Sequence, residues 1–227
     1  MEWLRSQPVG AVAATVLGHS TGFAHFVAAA PGAKELVTIG KAVDLTRARR
    51  GTRSGPRHYD VVIIDGPSSG HALGMLGAPR TIGEVAPVGP IGRQAHELRD
   101  FLADGEATGY VAVALPEELP LREAFELEQK LPSAAARDLD LIVVNGVYPE
   151  RFSDEEAERL EVLASRPSAP WALRAALSYH YRARRHAEQL RWLRDWVHAP
   201  VLTLPYLFGP TLGPSEYDWL GRELMAE

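Results

Sequence analysis

The side chains best suited to chemistry gather in one stretch, Tyr59 to His71, which reads Tyr-Asp-Val-Val-Ile-Ile-Asp-Gly-Pro-Ser-Ser-Gly-His. Val61 to Ile64 are four consecutive β-branched residues bounded by turn formers. A run that short is too brief for a buried helix and predicts a central parallel strand, apolar on both faces. Asp65 then stands at the strand's carboxyl end, where open α/β sheets place their ligands. Behind it, Gly66-Pro67-Ser68-Ser69-Gly70 is a tight polar loop whose glycines let backbone amides approach an anion. An acid followed by an anion-cradling loop is the chemistry of a phosphate or metal site. A strand-end aspartate that only caps the backbone is the plainer reading of the same residue.

The loop also satisfies G-x-S-x-G, the nucleophile elbow of an α/β serine hydrolase, with Ser68 as the nucleophile. His180, His186 and His198 follow it, so the order of a triad is available. Against this, Pro67 fixes φ directly before the would-be nucleophile. Nothing ahead of Ser68 resembles the glycine-rich oxyanion loop that such an enzyme needs. The hydrolase is the minor alternative.

The elements that must position these residues alternate along the chain. Met1 to about Ala30 is alanine-rich and predicts helix, broken between Gly18 and Gly22. Pro31 opens a second helix in which Leu36, Ile39 and Val43 share one face. Within it, Gly40-Lys41 is no phosphate loop, because Glu35 and Ala42 stand where that motif needs glycine and Ser or Thr. Ala72 to Leu76 predicts a short helical turn, and Gly77 to Pro90, with three prolines and three glycines, a long loop. Ile91, Ala95, Leu98 and Leu102 mark an amphipathic helix.

Further strands are expected over Gly109–Leu115, Leu139–Val144 and Val201–Leu204, with a helix over Glu117–Leu131 between the first two. Asn145-Gly146 follows the Leu139–Val144 strand, either as a turn pair or as a ligand-reading amide at the sheet's edge. Ser153 and Glu156 make a capping box that starts an acidic helix. Pro170 opens a long arginine-rich helix through Trp196, read as a solvated face paired with nearby acids, and a last helix follows Pro214. Strand–helix alternation of this kind predicts one α/β domain over residues 1–227, a doubly wound, mostly parallel sheet with flanking helices.

Composition removes several function classes. Formal net charge is -5 over 227 residues, so no basic surplus exists to drive nucleic-acid binding. No run of apolar residues is long enough for a membrane span, and no charged-then-apolar leader opens the sequence. Stable membrane insertion is therefore not expected. The absence of cysteine excludes disulfides, thiolate metal sites and thiol nucleophiles, and the expected location is cytoplasmic.

Taken together, the pieces resemble the arsenical-pump ATPase (ArsA) family, which includes the ATPase that targets tail-anchored membrane proteins. The resemblance begins near Pro31-Gly32-Ala33-Lys34-Glu35-Leu36 and is strongest at Tyr59 to His71, where the family typically reads Asp-Thr-Ala-Pro-Thr-Gly-His. It implies a P-loop NTPase fold of the deviant-Walker type, dimeric, with ATP and Mg²⁺ at the interface. On that resemblance Asp65 is the catalytic acid that orders the Mg²⁺ shell, and Gly66 to His71, with Gly70 and His71, form the second switch loop. Ala114-Leu115-Pro116-Glu117 resembles the family's post-strand turn. Asn145 then matches the asparagine that reads adenine, with Pro205 and Tyr206 packing against the base.

The departures are equally specific. The glycine-rich lysine loop and the first switch of the family are not found in this sequence. The expectation is therefore the carboxyl-terminal part of an ArsA-type ATPase, inactive alone, partnered by a second copy or by a complementing N-terminal segment. The alternative from another class is a noncatalytic interaction module that keeps the nucleotide fold's surface.

Overall fold

Leu36, Ile39 and Val43 recur at helical spacing and all three are buried, on a helix that runs Ala33–Arg47 (α1). The computed structural model describes residues 32–50, 55–166, 168, 170–209 and 211–226. The helical reading of Met1 to Ala30, and Pro31 as a helix opener, lie outside the described residues. Two compact units make up the chain. The first takes residues through Thr108 together with Lys130–Arg137; the second takes Gly109–Gln129 and Asp138–Glu227.

In the first unit α1 packs with helices Ser69–Val85 (α2) and Gly89–Ala103 (α3). Their core joins Leu36, Ile39 and Val43 to Ala95, Leu98 and Leu102, with Met75, Leu76, Ile82 and Phe101 against it. Close approach is arranged with small residues. A methyl group at Gly32 would meet the Ala78 side chain at 3.1 Å, and one at Gly83 would meet the His96 ring at 3.2 Å. Gly40 and Lys41 sit in the middle of α1, which gives a structural reason to reject a phosphate loop there.

Two expectations about this unit are corrected. Residues 61–68 form no strand, and Val61 and Ile63 are 74% and 88% exposed. A β-branched run becomes a strand only when a neighbour accepts its backbone hydrogen bonds, and no described strand pairs with it. The loop expected from Gly77 to Pro90 is mostly helix, since α2 continues through Pro79 to Val85. Proline costs a helix one backbone bond, but here Ala78, Pro79 and Gly83 are all buried, and packing outweighs the local penalty.

The second unit is built on a parallel sheet of Val111–Ala114 (β1), Leu141–Val147 (β2) and Val201–Pro205 (β3), in the order β1-β2-β3. Helix Glu118–Ala135 (α4) connects the first pair; helices Asp154–Ala164 (α5) and Trp171–Trp196 (α6) connect the second. Helix Pro214–Ala226 (α7) follows β3. The α/β class and the parallel sheet stand as expected. β1, however, is buried on one face only: Ala112 and Ala114 point inward, while Val111 and Val113 are 56% and 69% exposed.

Polar ties fix the connections. The Ser153 hydroxyl accepts from the Glu156 backbone N–H at 3.2 Å, and the Glu156 carboxylate accepts from the Ser153 N–H at 2.9 Å, completing the expected capping box. Buried Glu128 on α4 accepts from the backbone N–H groups of His198 and Ala199 at 2.8 and 2.7 Å, anchoring the approach to β3.

Candidate functional site

Asn145 is exposed although the three residues before it, Ile142 to Val144, are buried. The cause is local. β2 does not stop at Val144 but runs to Val147, and its register with β3 shifts: Asn145 lies opposite Leu204, and Val147 opposite Pro205. Gly146 is the extra residue of this bulge, with φ 82°, a left-handed conformation in which glycine pays no Cβ penalty. Asn145-Gly146 is thus a bulge within the strand and not a turn pair. Its amide side chain makes no hydrogen bond to the described residues, which leaves a donor and an acceptor free at the sheet's carboxyl edge.

Pro205 and Tyr206 are brought to the same place. The Tyr206 N–H donates to the Val147 carbonyl at 2.8 Å, which extends the β2–β3 pairing one step past the bulge. A methyl group at Gly146 would lie 3.7 Å from the Tyr206 ring. Of the residues singled out in the sequence, Asn145, Pro205 and Tyr206 therefore converge at the end of two parallel strands.

Around Tyr206 the fold assembles a cluster of rings that sequence reasoning did not identify. Tyr148 is the hub: its ring stacks on Tyr179 at 5.1 Å and contacts Tyr206 at 4.9 Å and Phe208 at 5.4 Å. Three bonds hold this hub and its partner. The Tyr148 N–H donates to His186 Nδ1 at 3.1 Å, Arg182 donates to the Tyr148 hydroxyl at 3.2 Å, and the Tyr179 hydroxyl donates to the Pro149 carbonyl at 2.8 Å. Guanidinium groups cap the rings, Arg182 over Tyr148 at 5.3 Å and Arg151 over Tyr179 and Phe208 at 5.2 and 5.5 Å. His186 is 4% exposed, and burial, then the Arg182 charge, holds its pKa below the ordinary histidine value. It is therefore neutral near pH 7, as an accepting Nδ1 requires. These residues are spread from 148 to 208 with no common period, so no sequence signal groups them.

Asp65, Gly70 and His71 belong to the first unit. Asp65 lies in the exposed non-helical segment and makes no hydrogen bond or ion pair with the described residues. Ser68 is the N-cap of α2, and Gly70 and His71 are exposed in its first turn. The segment after Asp65 thus leads into a helix N-terminus, whose free N–H groups favour anions. His180, His186 and His198, the bases a serine hydrolase would draw on, belong to the second unit. His186 is already engaged with Tyr148, and His198 lies beside Glu128 at 3.8 Å.

A polar cavity of about 270 Å³ opens along the seam of α5 and α6, lined by Glu150, Asp154, His180, Arg184 and Arg191 among others. Within it Asp154 accepts from Arg184 at 3.0 Å and lies 3.8 Å from His180. Among the described residues no group of three or more His, Cys, Asp or Glu is placed to hold a metal, and no helix is long and apolar enough to cross a membrane.

No protein-family model matches the chain. A curated protein of Halobacterium salinarum, described as an arsenical pump-driving ATPase, is 24% identical over 132 residues, which take in 51% of this chain and 20% of that protein. The match thus spans about a fifth of the length of the curated relative. It supports a distant ArsA-like relationship.

Proposed function

We propose that this chain is part of an ArsA-type ATPase, contributing the adenine-binding edge and the switch acid of a dimer driven by MgATP, and that it does not turn over ATP by itself. The observation that carries this reading is the convergence of Asn145, Pro205 and Tyr206 at the carboxyl ends of β2 and β3, with the Asn145 amide free. An asparagine amide donates and accepts at once, as the edge of adenine requires, and Pro205 and Tyr206 supply an apolar wall. The residues present suit the base. For the metal, Asp65 offers one carboxylate, which is the usual protein share of a Mg²⁺ site whose other ligands are phosphates and waters. Gly70 and His71, in the first turn of α2, take the switch role that follows that acid. MgATP would supply the energy of the switch; this chain's residues would bind the base and sense the state of the phosphates.

The chain has no glycine-rich lysine loop to cradle phosphates, and that loop carries much of the transition-state stabilisation in such enzymes. The same observation favours a second reading, a noncatalytic interaction module on a nucleotide-binding scaffold. Calorimetric titration of the full chain with ATP and GTP separates the two. Asn145→Ala is expected to weaken ATP and remove the preference over GTP, while Asp65→Ala leaves base selectivity unchanged. ATP and GTP binding that is indifferent to Asn145 would refute the adenine assignment. Robust Mg²⁺-dependent turnover by the chain alone, abolished in Asp65→Ala, would refute the claim that it is inactive by itself.

A further inference from the structure

The polar cavity along α5 and α6 takes no part in the function proposed above. Its wall on α6 is one helical face, because His180, Arg184, Ala187 and Arg191 follow one another at steps of four, three and four residues. The start of α5 and the chain leading to it add Asp154 and Glu150. Asp154 and Arg184 hold each other at 3.0 Å. Glu150 and Arg191 carry opposite charges in the same cavity, yet neither makes a hydrogen bond or ion pair with the described residues. They therefore stand beyond ion-pairing reach of each other. His180 is the third open group. It is 5% exposed, its Nε2 lies 3.8 Å from the Asp154 carboxylate, too far for a hydrogen bond, and its ring makes none elsewhere among the described residues. No buried nitrogen of those residues is both sealed off and unpartnered, so the imidazole nitrogens open onto the cavity that His180 lines. A buried polar group left open in this way calls for a partner from outside the chain.

We infer that this cavity binds a small zwitterion of the amino-acid kind, its carboxylate on Arg191 and its ammonium on Glu150, with His180 hydrogen-bonded to it from the buried side. Charge sets the class. Two guanidinium groups and two carboxylates line the cavity, so a ligand of one sign loses at one end what it gains at the other. A ligand carrying both signs meets both unpaired groups. The planar guanidinium of Arg191 receives a carboxylate through two parallel N–H bonds, and the Glu150 carboxylate accepts from an ammonium. Size agrees: about 270 Å³ lies just under the roughly 300–1,000 Å³ of ordinary small-molecule pockets and suits a molecule of amino-acid size. The apolar lining is limited to Phe152 and Ala187, so binding comes from the charged ends and not from a large side chain. None of this uses the nucleotide reading, and it stands or falls separately.

Calorimetric titration of the full chain uses glycine, L-serine and γ-aminobutyrate as zwitterions, butylamine and butyrate as singly charged controls, and inorganic phosphate as an anion control. Zwitterions are expected to bind, and the preference among the three reports the charge separation the site accepts. The controls, each lacking one charged end, are expected to bind about tenfold more weakly or less. For the best zwitterion, Arg191→Gln and Glu150→Gln should each cost about ten- to a hundred-fold in affinity. Both side chains are exposed, so unfolding does not complicate the comparison. Amidating the ligand's carboxylate removes the same contact as Arg191→Gln, so the two losses should not add. The His180 imidazole ¹⁵N signals, assigned by their disappearance in His180→Gln, should shift on addition of the zwitterion to the parent chain. Asn145→Ala should leave its affinity unchanged. Failure of all three zwitterions to bind overturns the inference, as does equal binding of butylamine, butyrate or phosphate. Zwitterion binding that is indifferent to both Glu150→Gln and Arg191→Gln, or that leaves the His180 signals unmoved, places the ligand elsewhere and overturns it too.

Discussion

His186 ties the ring cluster to protonation. Its Nδ1 accepts from the Tyr148 backbone N–H, so protonating that nitrogen replaces an acceptor with a donor and removes the bond. Arg182 and Arg185 on its own helix oppose the charged form, Glu117 favours it, and burial, the largest effect, disfavours it. The folded pKa therefore lies below the value of the unfolded chain. As pH falls below about 6.5, the unfolded state takes a proton that the folded state refuses, and stability drops until the folded pKa is passed. The stabilisation is complete above the unfolded value and lost on the acid side. Urea midpoints measured between neutral and mildly acidic pH should fall for the parent chain and fall less for His186→Asn, whose side-chain oxygen can still accept from Tyr148. Parallel slopes for the two proteins would show that His186 does not titrate on unfolding.

Among the elements, those that the sequence marks by local chemistry are the ones it predicts well. The Ser153–Glu156 box and the Leu36, Ile39, Val43 face depend on neighbours three or four residues away, and both are present in the fold. Residues 61–64 have strand composition, but a strand's backbone bonds come from a distant partner, and composition cannot supply one. Pro79 carries the opposite lesson, since its local veto is overridden by burial of α2's inner face. The position of Asn145 at the sheet's edge was legible from its place after an apolar run. The bulge that exposes it, and the rings gathered around Tyr148, depend on register and on chain crossings far apart in sequence. Glycines in the first unit give a sharp test of such packing. A methyl group at Gly92 in α3 would run into the Ala86 carbonyl oxygen, whereas at Gly77 in α2 it would meet nothing within 4 Å. Gly92→Ala should destabilise by about 1–3 kcal/mol through overpacking. Gly77→Ala should stabilise by about 0.5–1 kcal/mol through helix propensity. Opposite shifts in the urea midpoint are the expected outcome, and a destabilising Gly77→Ala would argue against a helix there.

Among the described residues, β1 leaves apolar surface and a backbone edge uncovered. β1 has β2 on one side, and on the other side no described strand accepts or donates. Its outward face shows Val111 and Val113, continued by Leu115 at 53% and Leu119 at 68% exposure. An unpaired edge with β-branched residues beside it is a template for another strand, and proteins usually blunt it with charge, proline or a covering element. None of these stands in Val111-Ala-Val-Ala114, the span of β1 itself. The chain should therefore associate in proportion to concentration, which sedimentation velocity over a dilution series measures directly. Val111→Lys and Val113→Lys together place two charges on the bare face and should shift the population toward monomer without loss of cooperative unfolding. The exposed Val61 and Ile63 provide the comparison, because lysine there charges a separate exposed apolar stretch and leaves β1 untouched. Association that persists in the β1 variant but vanishes with Val61→Lys and Ile63→Lys would move the contact to that segment. A monodisperse monomer at every concentration would mean that β1's edge is protected in solution and does not pair with a second copy.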